Sequence, residues 1–306
     1  DMYWVAFING CSQNIVTTNM IFQKFPDVSS LDIEELNQWW NKVHGKFKVG
    51  SGWDLDRRYF KIGKTGFPAC AERYQRLVKA HGSQTNMFND LCRTNDPYEN
   101  YRQVWKFVRE CYLSFGRLSA FSYIEYLKIV GLNVDCDQLY LDDIKGSRSH
   151  RNGLCKVLGR DDLDWWKEDI NYDKEIIEWL TVEGEKLLKQ AKEVIKHEDV
   201  NYFTLESTLC NYKSWHRPDR RYPNVYTDMF HDRIKYAEKQ WGDNFKIFWD
   251  MRKDCLPKEL LLEENPNDLG IDPIKQNHYR LTGQPVMMDK MFPCFKNDYN
   301  DLLNSM

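Results

Sequence analysis

Apolar residues in this sequence recur every three or four positions over most of its length, and that spacing restricts the chain to a helical architecture. Tyr101, Val104, Val108, Tyr112 and Phe115 fall on one helical face. So do Ile177, Leu180, Leu187, Ala191 and Val194, and then Phe230, Ile234, Ala237 and Trp241. A further helix reads over 119–130, with Phe121, Ile124, Leu127 and Ile129 turned inward. The fold class that follows is mainly α, with at most a small β-hairpin. That hairpin would pair Phe47–Val49 with Tyr59–Ile62 across Gly50, Ser51 and Gly52, which supply the positive-φ positions of a tight turn. The organisation expected is one mainly helical domain over 1–256, with a subdomain boundary near 160–172. A loop-rich extension over 257–306, rich in Pro and Asn, would pack on it.

The 306 residues are enough for a sizeable core, and much of the apolar content is aromatic: 11 Trp, 17 Tyr and 16 Phe beside a mean hydropathy of −0.69. No apolar run approaches the roughly 18–20 residues that a membrane span requires, so a soluble chain with no membrane partner is expected. The apolar opening segment Met2–Ile8 has no basic flank and no small-residue cleavage site, which argues against a secretory signal. Nine cysteines are scattered without a C-x-x-C pair. Reduced thiols in a cytoplasmic setting fit this pattern, and a structural zinc site does not.

The formal net charge is only −3, but the charges are segregated. Lys42–Arg76 holds nine cations against three acids, and 144–160 holds five cations and no acid, whereas 161–185 holds ten acids against two lysines. Basic patches of this kind suit a polyanion at one face, while each run taken alone also reads as a solvated helix face. There is no G-x-x-x-x-G-K-[ST] loop, G-x-G-x-x-G turn, H-E-x-x-H or G-x-S-x-G elbow, and no two histidines stand at metal-ligand spacing. No cofactor and no metal are called for.

Three polar clusters remain. In Gly146-Ser147-Arg148-Ser149-His150-Arg151, the glycine would end one helix and a serine would cap the next, and free N–H groups beside arginines would receive an anion. The same turn has a glycosylase-like helix-hairpin-helix look, with Arg148 where a second glycine is expected. A second cluster is Asp54–Lys61, with Arg57, Arg58, Tyr59 and Lys61. A third runs from Leu205 to Lys213 and on through Arg220-Arg221-Tyr222 to Tyr226 and Asp228. There aromatics interleave with cations, as in proteins that stack an unpaired base, although core packing accounts for the rings equally. Asn9–Asn14 with Thr17 and Thr18 either line a pocket or cap a helix. Glu125 stands on an otherwise apolar helix, as a raised-pKa base or as the partner of a buried cation.

Taken in order, the Trp4/Phe7 segment with Thr17, Thr18 and Phe25-Pro26, then Asp56-Arg57-Arg58, Glu125-Tyr126, Glu206, Cys210, Tyr212-Lys213 and Tyr226/Asp228 resemble the amino acid:DNA transferases of bacteriophage thymine hypermodification. The resemblance implies a phage enzyme working in the cytoplasm of the infected host. Its DNA substrate would carry 5-(hydroxymethyl)uracil activated as the pyrophosphate by a separate kinase, and an amino acid or polyamine would displace the pyrophosphate. The chemistry of that reaction then sorts the clusters. Glu125, Glu206, His150 and Asp228 are candidate bases. Arg57, Arg58, Lys61, Ser147, Arg148, Ser149, Arg151, Lys213, Arg220 and Arg221 are candidates for holding pyrophosphate and backbone. Tyr59, Tyr212, Tyr222 and Tyr226 are candidates for stacking a flipped base. A helical glycosylase-like base-processing enzyme and a non-catalytic DNA-binding module are the alternatives.

Overall fold

A computed structural model describes residues 2–47, 62–163, 170–215, 225–242 and 245–255, excluding the side chains of 214, 215, 225–232 and 255. Twelve α-helices are found among the described residues, and no strand. They are α1 (Met2–Ser12), α2 (Ile15–Lys24), α3 (Ile33–Val43), α4 (Phe67–Ala80), α5 (Gln84–Leu91), α6 (Pro97–Cys111), α7 (Arg117–Ile129), α8 (Arg148–Val157), α9 (Lys174–Ile195), α10 (Tyr202–Trp215), α11 (Val225–Trp241) and α12 (Lys246–Cys255). The hairpin expected around Gly50–Gly52 and the extension over 257–306 lie outside the described residues. The chain divides into two compact units, one of Asp1–Arg151 with Glu168–Ser207 and one of Asn152–Lys167 with Thr208–Met306.

In the first unit the centre is α1. Its sequence MYWVAFINGCS is apolar almost all round, and Trp4, Ala6, Phe7, Ile8, Gly10 and Cys11 are all buried, as a helix enclosed by others must be. α2 and α7 flank it. Phe7 lies 4.1 Å from Tyr74 of α4 in a stacked pair and meets Tyr123 of α7 edge-on at 6.2 Å, while Trp4 Nε1 donates to the Phe25 carbonyl at 2.8 Å. Five of the twelve helix starts among the described residues are written locally. Asn14, Asp32, Ser83, Asp96 and Asp173 cap α2, α3, α5, α6 and α9 through side-chain oxygens, satisfying N–H groups that a first turn leaves open. The cap of α2 is therefore Asn14, and Thr17 and Thr18 are buried within that helix.

Three expectations change. α7 begins at Arg117, two residues before the expected start, and Ile129 is 74% exposed. On α9 the buried line is Leu180, Gly184 and Leu188, and Val194 faces solvent. No helix precedes Gly146, because 130–147 is turn and irregular chain, so the helix-hairpin-helix likeness fails at its first helix. In the second unit, Gly153 and Leu209 approach so closely that a Cβ on Gly153 would sit 2.0 Å from the Leu209 carbonyl oxygen. Ile234 and Ala237 of α11 are buried as expected, and Trp249 Nε1 donates to Glu238 at 2.7 Å.

A Cβ placed on Gly10 would lie 2.9 Å from Tyr123 Cβ. Gly10→Ala is expected to separate α1 from α7 and to cost about 1–3 kcal/mol, read as a lower urea midpoint at unchanged m-value.

Candidate active site

The first unit gathers four ionisable side chains from distant parts of the sequence. Arg117 opens α7, Glu125 follows two turns later, His150 lies on α8 and Glu206 on α10. Arg117, His150 and Glu206 are buried. The Arg117 guanidinium donates to Glu206 Oε1 at 3.2 Å through Nη1 and to the Leu139 carbonyl at 3.0 Å through Nη2, and it lies over the Phe121 ring. His150 Nε2 is 2.9 Å from the same carbonyl. Its Nδ1 is 3.1 Å from Glu206 Oε1, close in distance but off the axis of a hydrogen bond.

Opposed effects act on these carboxyls. Burial alone would raise the pKa of Glu206, but His150 and Arg117 outweigh it and hold that pKa at about 2. Glu206 is therefore ionised at any working pH and is a poor proton acceptor. Burial also depresses His150, more than Glu206 restores it. Glu125 is half-buried and no cation pairs with it among the described residues. Burial, followed by the negative charge of Glu206, raises its pKa to about 7. The structure gives Glu125 a raised pKa and no buried cation as partner among the described residues.

The Gly146 cluster does other work than expected. Ser147 is buried, and its hydroxyl faces the carbonyls of Leu141 at 3.2 Å and Asp143 at 2.8 Å while accepting from Arg151 Nη1 at 2.6 Å. Arg151 is 1% exposed, donates to the Ile144 carbonyl at 2.8 Å and lies 4.1 Å over the Tyr172 ring. Both side chains fasten the 141–147 loop and are turned away from any ligand in solvent, so the expected anion grip by Ser147 and Arg151 is corrected to a structural one. Arg148 is exposed and Ser149 half-exposed at the start of α8. A Cβ on Gly146 would fall 2.3 Å from Asp143 Oδ2 and 2.6 Å from Arg117 Cδ, so only glycine lets this loop close over Arg117. His150 and Glu206 are metal-capable groups side by side, and Arg117 already supplies positive charge to Glu206.

In the second unit Lys213 is buried and Tyr212 half-buried. Arg57, Arg58, Tyr59, Lys61, Arg220, Arg221 and Tyr222 lie outside the described residues. Tyr226 and Asp228 are on α11 with side chains that also lie outside them. From the first basic run, Lys64, Arg73 and Arg76 line an open cleft of about 470 Å³ with Asn37, Glu72 and Leu113. Arg117 escapes a reading of the sequence that starts the helix after it. Gly116, a residue that often precedes a first turn, is the available signal, and Arg117, Phe121 and Glu125 then fall four apart on one face.

Against this geometry, the amino acid:DNA transferase family matches residues 1–221 of the sequence. The chain belongs to that family. A protein named Serinyltransferase, from Salmonella phage ViI, is 27% identical over 301 residues, which cover 92% of this chain and 71% of that protein. No solved structure matches. The chain is thus a transferase acting with an amino acid and DNA, and no helix among its described residues is long and apolar enough to cross a membrane.

Glu206→Gln keeps the shape of the side chain but leaves Arg117 buried without a counter-charge. A loss of about 3–5 kcal/mol is expected in urea unfolding, whereas Glu206 as a dispensable surface acid would lose well under 1.

Proposed function

We propose that this transferase joins an amino acid to the exocyclic methylene carbon of 5-(hydroxymethyl)uracil in DNA, displacing pyrophosphate that a separate kinase has installed. The observation that carries the reading is Glu125: a half-buried carboxyl with no cation partner among the described residues, its pKa raised to about 7 by burial and by Glu206. An amino acid arrives as an ammonium and attacks only after losing a proton, and a base is most effective when its pKa lies near the working pH. Glu125 takes that proton and frees the nitrogen lone pair; the C–N bond then forms as the carbon–oxygen bond to pyrophosphate breaks, the electron pair leaving on the phosphate oxygen and the product amine keeping its two remaining protons as a secondary ammonium. Glu206, ionised and bonded to Arg117, holds the charge that tunes Glu125 and stands apart from the proton transfer. Arg148, exposed at the first turn of α8, stabilises the leaving pyrophosphate in this reading. DNA and a free amine are the partners, and the cytoplasm of the infected host is the setting. Serine is the first donor to test, because the Salmonella phage relative carries that name.

Incubation with DNA containing the pyrophosphorylated base and serine, then digestion and mass spectrometry of the nucleosides, is expected to give an amine-bearing thymidine with release of pyrophosphate. Free base, an abasic site or unchanged DNA would overturn the reading.

Two variants separate the roles. Arg148→Ala should lower turnover at least tenfold on activated DNA with an unchanged melting temperature; full turnover would remove Arg148 from the site. Wild-type kcat/KM should fall as pH drops below about 7, where Glu125 becomes protonated, and Glu125→Gln should abolish both that limb and most of the activity. Stability moves the other way. The folded-state pKa of Glu125 is raised, so its carboxyl weakens the fold progressively as pH rises from the unfolded value to about 7. Glu125→Gln should therefore match wild-type stability at pH 4 and exceed it at pH 8.

A further inference from the structure

The face of α6 carries Arg102, Lys106 and Arg109 at i, i+4 and i+7, a line of exposed cations about 10 Å long. Arg102 is matched by Asp137 at 2.7 Å. Lys106 and Arg109 have no carboxylate partner among the described residues, and Arg109 lies 5.7 Å over the Trp105 ring. Trp105 is half-buried and stacks on Tyr140 with ring centres 5.4 Å apart and planes within 10°. Tyr140 is held in the left-handed region at φ 51, which a tyrosine adopts only at a cost, and its hydroxyl is anchored on Asp137 at 2.8 Å. A flat pair of rings, fixed against its backbone preference and edged by unmatched cations, is more than core packing requires.

Its position ties it to the reaction. The residue before Tyr140 is Leu139, whose carbonyl receives Arg117. Beneath Trp105, Tyr101 stacks at 5.9 Å and meets Phe203 at 5.7 Å, three residues before Glu206 on α10.

We infer that Trp105 and Tyr140, with Lys106 and Arg109, form the surface on which the transferase receives its DNA strand, an unstacked base lying against the rings and backbone phosphates along the cations. Cationic side chains with interleaved aromatic rings match a single strand, whose every base offers a π-face and whose every linkage carries a charge. The inference rests on DNA being the substrate and is independent of the role given to Glu125.

The test measures binding of unmodified, fluorescein-labelled single-stranded DNA by anisotropy over a range of salt, so neither activated base nor donor is needed. The double variant Lys106→Gln/Arg109→Gln should weaken binding irrespective of sequence and reduce the slope of log affinity against log salt by about 0.7 for each phosphate that is no longer neutralised. Trp105→Leu should weaken binding about 5- to 150-fold with the slope unchanged. Lys189→Gln, on the exposed face of α9, should leave both quantities at the wild-type value. Wild-type affinity and slope in the folded α6 variants would overturn the inference while leaving the Glu125 reading in place, and so would an equal fall in the Lys189 control. If Trp105→Leu loses its melting transition, the double variant decides alone, because both of its side chains stand in solvent.

Discussion

The interaction on which the first unit depends is the buried ion pair of Arg117 with Glu206. Removing two full charges from water costs several kcal/mol for each ion even after relaxation, so such a pair persists only where geometry and further hydrogen bonds offset that cost. Here they do. The Leu139 carbonyl takes a second guanidinium N–H, the Phe121 ring lies against the cation, and His150 stands over the carboxylate. Residues 117, 139, 150 and 206 are fixed to one another without any regular secondary structure between α7 and α8. The loop over 141–147 then needs only Ser147, Arg151 and Gly146 to close, and each of them does one thing: a hydroxyl on two carbonyls, a guanidinium on a ring and a carbonyl, and the absence of a Cβ above Arg117.

That pair also adds to what burial does to its neighbour Glu125. Glu206 and Glu125 are the same residue type in one unit, and their environments drive them in opposite directions, to about 2 and about 7. Two carboxyls separated in this way can divide labour, one as a permanent charge and the other as a proton acceptor near neutrality. An Arg117 partner for Glu125 in place of Glu206 would reverse the two shifts, so the order of residues along α7, and not their identity alone, decides which carboxyl titrates near neutrality.

Much of this is legible in the sequence, and the limits have physical causes. The helical class follows from apolar spacing, and α1 from its uniformly apolar run, because burial on all sides leaves a compositional mark. Glu125 is visible as a carboxylate on an apolar helix. Arg117 is not, since a buried arginine looks in sequence like any helix-terminal cation, and only its partner 89 residues away reveals it. The same ambiguity misleads the reading of Ser147 and Arg151. A cluster of small and basic residues has the composition of an anion site, yet those groups equally satisfy the carbonyls of an irregular loop, and the length of 130–147 without a helix is what creates that demand. On α9 the buried line shifts to Leu180, Gly184 and Leu188 because a glycine can face the core, which a search for large apolar residues passes over.

The rings that dominate the composition take their meaning from this arrangement. Phe7, Tyr74, Tyr112 and Tyr123 build an interior in which aromatic edges meet faces, and such packing fixes orientation as well as excluding water. A second series of ring contacts runs from Phe121 through Phe203 and Tyr101 to Trp105 and Tyr140, beginning at the cation–π interaction of Arg117. On the proposed reading, a transferase that holds a reactive carbon near one carboxyl needs its inferred nucleotide-facing surface and its proposed base on the same rigid body. Loops alone would leave that separation free to vary by more than the fraction of an ångström that transfer tolerates. Packed rings running from Glu206 to the α6 surface, with Leu139 and Tyr140 adjacent in the chain, supply that rigidity through side chains where a helical protein has no sheet to do so.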